Sequence, residues 1–197
     1  MDLPKLRTRL LVVALTTASV LMLVLASQKR DLLDRIDLLT SRIRYPFPGM
    51  YVPTVALPSV TGDTVTLGHA PAGAVQVLFV FSTSCQYCKA SMSAWKQIAS
   101  QFAASEKVQV VGISMDSVEA TERYLAGHGI EWPVVSLTDS RLRALYRVWV
   151  TPQTTIIDPD GRVGYTHLGA VTEPVVIDSI LSATARVAAR ATDDRPD

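Results

Sequence analysis

The chain has 197 residues, of which 48% are hydrophobic and 19% charged, with a formal net charge of +1 and two cysteines. That length holds one domain of ordinary size plus extensions. A near-neutral balance with no long Lys/Arg run and no basic stripe interleaved with aromatics argues against nucleic acid as a partner, and two cysteines exclude a disulfide-framework scaffold, so a hydrophobic core must hold the fold.

In chain order, a nine-residue basic tail (1–9) carries Lys5, Arg7 and Arg9 and leads into the uncharged run 10–26, LLVVALTTASVLMLVLA. At about 1.5 Å per residue such a run just reaches across a bilayer core of about 30 Å when its flanks snorkel. Small residues near Ala26 suit a cleavage site, but the run exceeds the apolar region of a cleaved signal peptide. Nor does it show the polar stripe of a soluble helix. The expectation is an uncleaved single-span anchor over 10–26. Lys29, Arg30, Arg35, Arg42 and Arg44 follow it and outnumber the three basic residues before it, so charge counting alone leaves the topology open. The basic tail resembles a signal n-region retained inside, which predicts a single-pass protein of the inner (cytoplasmic) membrane with its globular domain periplasmic.

A stem and linker, 27–49, comes next. Leu32, Leu33, Ile36, Leu39 and Ile43 recur at spacings of three and four, which is an amphipathic helix, either continuing the anchor as a spacer, lying on a membrane or pairing with a copy of itself. Tyr45-Pro46-Phe47-Pro48-Gly49 breaks it and opens the globular domain, 50–190.

There, Val55-Ala56-Leu57 and Val65-Thr66-Leu67 flank the turn 60–64 and read as a hairpin added to a sheet edge. A loop over 70–74 precedes the strand-type run Val75, Val77, Leu78, Phe79, Val80, Phe81. After Ser82-Thr83-Ser84 and Cys85-Gln86-Tyr87-Cys88, helical composition begins at Lys89, with Met92, Trp95, Ile98 and Phe102 on the face that packs on the sheet. A strand follows over 108–113, then a helix over 117–126 with Ser117 as N-cap, a strand over 132–136 and a short helix over 140–147. Strands over 154–158 and 163–166 flank Pro159-Asp160-Gly161, a hairpin signal. A helix over 173–189 closes the domain and 191–197 reads as a disordered tail. The order βαβαβ, short helix, ββ, α gives an α/β fold: a mixed sheet with helices on both faces.

The two cysteines stand at the strand-to-helix junction in the middle of this order. A first cysteine at a helix N-terminus meets unpaired N–H groups and the macrodipole, which favour a thiolate. The second, one turn on, lies on the same side within disulfide reach. Cys85 is therefore the expected nucleophile and Cys88 the resolving thiol. Zinc needs about four ligands, and His69, His128 and His167 show no ligand spacing, so no metal and no cofactor is expected. A purely structural disulfide is disfavoured because it closes a very short loop.

With these residues in place, the chain resembles the thioredoxin fold and, within it, the membrane-anchored TlpA/ResA-like thiol-disulfide oxidoreductases of the redoxin (AhpC/TSA) superfamily. The landmarks are the Pro53-x-x-x-Leu57-x-x-Val60-x-Gly62-x-x-Val65-x-Leu67 opening, the strand into Cys85-x-x-Cys88, Thr151-Pro152-x-Thr154, and Ile157-Asp158-Pro159-Asp160-Gly161-Arg162. The resemblance implies a cis Pro152 facing the cysteine pair, with Thr151 offering its backbone to an extended substrate segment. Substrate contacts are then expected from Thr151, Pro152, Gln86, Tyr87 and Ser84. It also implies client proteins with cysteine thiols or disulfides, cytochrome c maturation as the setting, and a membrane thiol-disulfide electron donor. The chain departs from the family pattern at Ser84, where relatives often carry Trp, and at Ser91 and Ser93, where they often carry Glu and Pro.

Two other functions compete. Thiol peroxidases of this fold carry Pro-x-x-x-Thr/Ser-x-x-Cys, and the proline position here is Leu78. Copper-delivery relatives use Cys-x-x-x-Cys with a distant histidine, one residue longer than this pair. An assembly factor of thioredoxin fold, as in amine-dehydrogenase maturation, stays open on the sequence.

Overall fold

The computed structural model describes residues 3–193. The chain divides into two compact units, 1–43 and 44–197.

The first unit is a single helix, α1 (Leu3–Arg44), 42 residues long. Among the described residues no helix is long and apolar enough to cross a membrane. That overturns the expected single-span anchor over 10–26 and the inner-membrane localisation built on it. The uncharged run 10–26 is one stretch of a helix that carries on into Lys29-Arg30-Asp31; at about 1.5 Å per residue it covers about 26 Å, short of a core of about 30 Å. In the stem, Leu32, Leu33, Ile36 and Ile43 are exposed.

The second unit is built on a five-stranded sheet in the order β5-β4-β3-β6-β7. Its strands are β3 (Val75–Phe81), β4 (Val108–Ser114), β5 (Val134–Ser136), β6 (Gln153–Ile157) and β7 (Val163–Leu168). β3 pairs in parallel with β4 and antiparallel with β6. All seven β3 residues are buried, which is why six of them are apolar without alternation: a central strand covered on both faces has no solvent side, and the one polar residue, Gln76, is hydrogen-bonded to Gly68 N–H, Thr66 O and Gln109 Oε1. Its odd-numbered side chains from Val75 to Phe81 enter one core with α2 (Gln86–Phe102), α3 (Val118–His128) and α5 (Pro174–Asp193). Leu78 and Val80 enter the other, with α4 (Ser140–Tyr146) and the hairpin β1 (Val55–Pro58) and β2 (Thr64–Leu67).

The hairpin forms its own two-stranded sheet, in register Val55↔Leu67, and does not extend the main sheet. β5 has three residues, too few for a full ladder. It receives the hairpin turn through the Ser59↔Val135 bridge and the Val60 N–H bond to Val134 O at 2.7 Å, while Val65 and Leu67 bury themselves on the sheet face. Gly68 ends the hairpin at φ +80 with a Cβ position 2.3 Å from Pro53 O, so no larger residue fits. Ser117 caps α3, accepting the Ala120 N–H at 3.3 Å, and the helix runs to His128 before Gly129 turns left-handed. α5 reaches Asp193, so 191–193 are helical; the rest of the expected tail, 194–197, lies outside the described residues.

Candidate active site

β3 delivers the chain to the turn 82–84, and one carboxylate holds that turn. Thr83 N–H donates to Asp116 Oδ2 at 2.6 Å and the Ser82 hydroxyl to Oδ1 at 3.4 Å. Asp116 is fixed in turn: its carbonyl accepts from Ser136 Oγ at 2.6 Å and its N–H donates to Ser114 Oγ at 3.2 Å. The Cys85 N–H closes the turn on Ser82 O at 3.1 Å. No motif marks Asp116; its signal is its place just past the end of β4, beside the strand that leads into the cysteines.

Cys85 is the N-cap of α2, in extended backbone conformation (φ −81, ψ 112), and its sulfur accepts the Cys88 N–H at 3.2 Å. The thiol thus fills the place that serine or aspartate usually takes, bonding the N3 amide. Because the cysteine itself is the cap, α2 starts at Gln86, three residues before the composition suggested. Cys85 is half-buried and Cys88 fully buried, and both are free thiols. Across from them the Thr151-Pro152 peptide is cis. The Cys85 thiol donates to Thr151 O at 3.7 Å, and Gly169 N–H donates to Pro152 O at 2.9 Å. Ser84, Gln86 and Tyr87 are exposed around the nucleophile, with Ser84 Oγ 3.2 Å from Ser82 Oγ. The predicted residues are therefore brought to one place.

The two thiols are driven apart electrostatically. Burial pushes the Cys85 thiol up, but hydrogen bonds from Cys88, Thr151 and the backbone of Cys88 and Tyr87 together outweigh it, and the pKa falls below its ordinary value. Burial pushes Cys88 up to about 12, with its bond to Cys85 adding to the rise. No carboxylate is among the groups that shift either thiol. Ser91, where relatives often carry Glu, is a buried neutral clamp. Its hydroxyl donates to Tyr87 O at 2.8 Å and accepts the Val171 N–H at 2.9 Å, tying α2 to the loop after β7.

The histidines are dispersed. Each has a ring nitrogen near a backbone carbonyl: His69 at 2.8 Å from Pro159 O, His128 at 2.8 Å from Tyr124 O and His167 at 3.4 Å from Ala170 O. Among the described residues no group of three or more His, Cys, Asp or Glu could hold a metal ion.

A mixed sheet of this order, with a dithiol unequal in acidity at the end of its central strand, makes the protein a thiol-disulfide oxidoreductase of thioredoxin fold. The chain belongs to the AhpC/TSA family, whose pattern matches residues 48–166, and is a TlpA/ResA-like redoxin within it. It is 27% identical over 133 residues to the thiol-disulfide oxidoreductase ResA of Bacillus subtilis (strain 168), covering 66% of this chain and 72% of that protein. To the thioredoxin-like protein YneN of the same organism it is 25% identical over 129 residues, 64% and 74% of the two chains. A thiol:disulfide interchange protein DsbE from Chlorobium tepidum superposes with a TM-score of 0.63 at 25% identity, over 73% of this chain and 99% of that one. StoA from Bacillus subtilis, at 14% identity and TM-score 0.58 over 68% and 98%, is alike in fold alone.

Proposed function

We propose that this enzyme reduces disulfides of client proteins, with Cys85 attacking and Cys88 resolving. The observation that carries the reading is the split between the thiols: one accessible and acidified, the other buried and held protonated. In the first step the Cys85 thiolate attacks a client sulfur. The client S–S bond breaks, a Cys85–client disulfide forms, and the second client sulfur leaves as a thiolate. Cys88 then gives up its proton and attacks Cys85 Sγ, and the first client sulfur departs and is protonated. The client gains two electrons and two protons, and the enzyme is left as the Cys85–Cys88 disulfide, to be reduced by a second dithiol protein. Clients of the apocytochrome type belong to this reading through the likeness to ResA-type proteins. Thr151 and Pro152, with Gln86, Tyr87 and Ser84, supply the substrate contacts: the Thr151 carbonyl already lies against the attacking sulfur.

Trapping tests the roles. Cys88→Ser is expected to accumulate a mixed disulfide through Cys85, and Cys85→Ser to accumulate none. Failure of Cys88→Ser to trap any partner, together with absence of insulin reduction by the wild type, would overturn the mechanism. The direction is tested by the midpoint potential of the couple: a value at or below about −250 mV fits a reductase, and one near −120 mV would make it an oxidant.

A further inference from the structure

Three large apolar side chains stand exposed on the segments that carry the cysteine pair, the Thr151-Pro152 peptide and the strand paired beside it. Tyr87, between the cysteines, is 60% exposed; Trp149, two residues before Thr151, is 45% exposed; Leu168, at the end of β7, is 38% exposed. Leu168 lies opposite Gln153 in the β6–β7 register, directly after Pro152, and the next N–H in the chain, that of Gly169, is bonded to Pro152 O. Trp149 is held: the Arg143 guanidinium sits 5.8 Å from the centre of its ring, a contact that restrains an aromatic already low in rotamer freedom. An exposed but restrained aromatic loses little entropy when a ligand covers it, and apolar surface clustered at a reactive site marks a contact region.

We propose that Trp149, Leu168 and Tyr87 form an apolar rim around Cys85, selecting client segments with a large apolar or aromatic side chain beside the reacting cysteine, and that Trp149 is the specificity-determining contact. Tyr87 is two residues from Cys85 and Trp149 two residues from Thr151, the pair whose sulfur and carbonyl meet. Trp149 lies on a bent segment, and two residues of chain span at most about 7 Å, so Trp149 stands within one or two residue spacings of the residue whose carbonyl meets the sulfur under attack. A neighbour of the client cysteine is therefore what it covers. The inference rests on the exchange reading above and adds the substrate class.

The test uses two synthetic nonapeptides that differ only in the residue after their single cysteine, Phe or Ser, each as its mixed disulfide with 5-thio-2-nitrobenzoate. Reduced full-length protein is mixed with each, and thionitrobenzoate release gives the rates; the dithiobisnitrobenzoate disulfide is run alongside. The wild type is expected to favour the Phe peptide about tenfold, equivalent to about 1.4 kcal/mol. Trp149→Ala should bring the ratio below about threefold, and Trp149→Phe should keep most of it. A wild-type ratio near one, or an unchanged ratio in Trp149→Ala, overturns the rim while leaving thiol exchange intact. No release from any of the three disulfides by wild type removes the exchange reading itself, and the rim with it.

Discussion

At the scale of single residues, two identical side chains three positions apart are made unlike by their surroundings. Cys85 gains hydrogen bonds at a helix mouth and Cys88 loses solvent one turn deeper. At pH 7 a thiol of pKa about 12 is ionised to on the order of one part in 10⁵. Iodoacetamide should therefore label Cys85 in the reduced protein, with a pH inflection below the ordinary thiol value of 9.0, and leave Cys88 unlabelled on the same timescale. Peptide mass mapping reads both, and equal labelling at pH 7 would contradict the split. The cysteine pair was legible because a short motif and a local strand-to-helix switch carry it, and the Thr151-Pro152 contact was expected only through the family resemblance. Asp116 and the Ser91 clamp were not: their bonds reach Thr83 across 33 positions and Val171 across 80, and no local pattern encodes such distances.

At the scale of elements, the site depends on α2 being seated without play. Trp95 is fully buried, stacks on Phe79 with ring centroids 5.1 Å apart and donates its indole N–H to Thr154 Oγ1 at 3.1 Å. That bond joins the cysteine helix to the strand that follows Pro152. Thr154→Val keeps the shape and leaves the indole N–H buried without a partner, so urea unfolding should show a loss of about 1–3 kcal/mol. Thr154→Ser should retain most of the stability, and a valine variant as stable as wild type would remove the bond from the account. The spacing of Met92, Trp95 and Ile98 announced the buried face of α2, since helical periodicity is local. The seat of the hairpin was not legible, because its two short strands read alike whether they extend an edge or cover a face. What decides is the three-residue length of β5 and the burial of Val65 and Leu67. The single-span reading of 10–26 rested on the length and lack of charge of that run and on the basic residues before it, whereas among the described residues no helix is long and apolar enough to cross a membrane.

At the scale of the whole molecule, both thiols couple to folding, with opposite signs. The folded-state pKa of Cys85 lies below 9.0, so its contribution to stability is present above 9.0 and is lost as the pH falls through the lowered value. The folded-state pKa of Cys88 is raised from 9.0 to about 12, so its contribution is present below 9.0 and is lost as the pH rises from 9.0 toward 12. Stability of the reduced protein should therefore climb as pH approaches 9 and decline beyond it. Tyr124 and Tyr146, both pushed above 10.0 by burial, steepen the decline at the alkaline end. Urea unfolding under excess reductant between pH 6 and 10, in wild type, Cys88→Ser and Cys85→Ser, separates the contributions. Cys88→Ser should flatten the onset of the decline between pH 9 and 10, where the tyrosines still contribute little, and Cys85→Ser should flatten the climb below 9. The two slopes have different causes, burial for one sulfur and hydrogen bonding at a helix cap for the other. A common change in both variants would mean that the thiols share one environment, and the division of labour between attack and resolution would lose its physical basis.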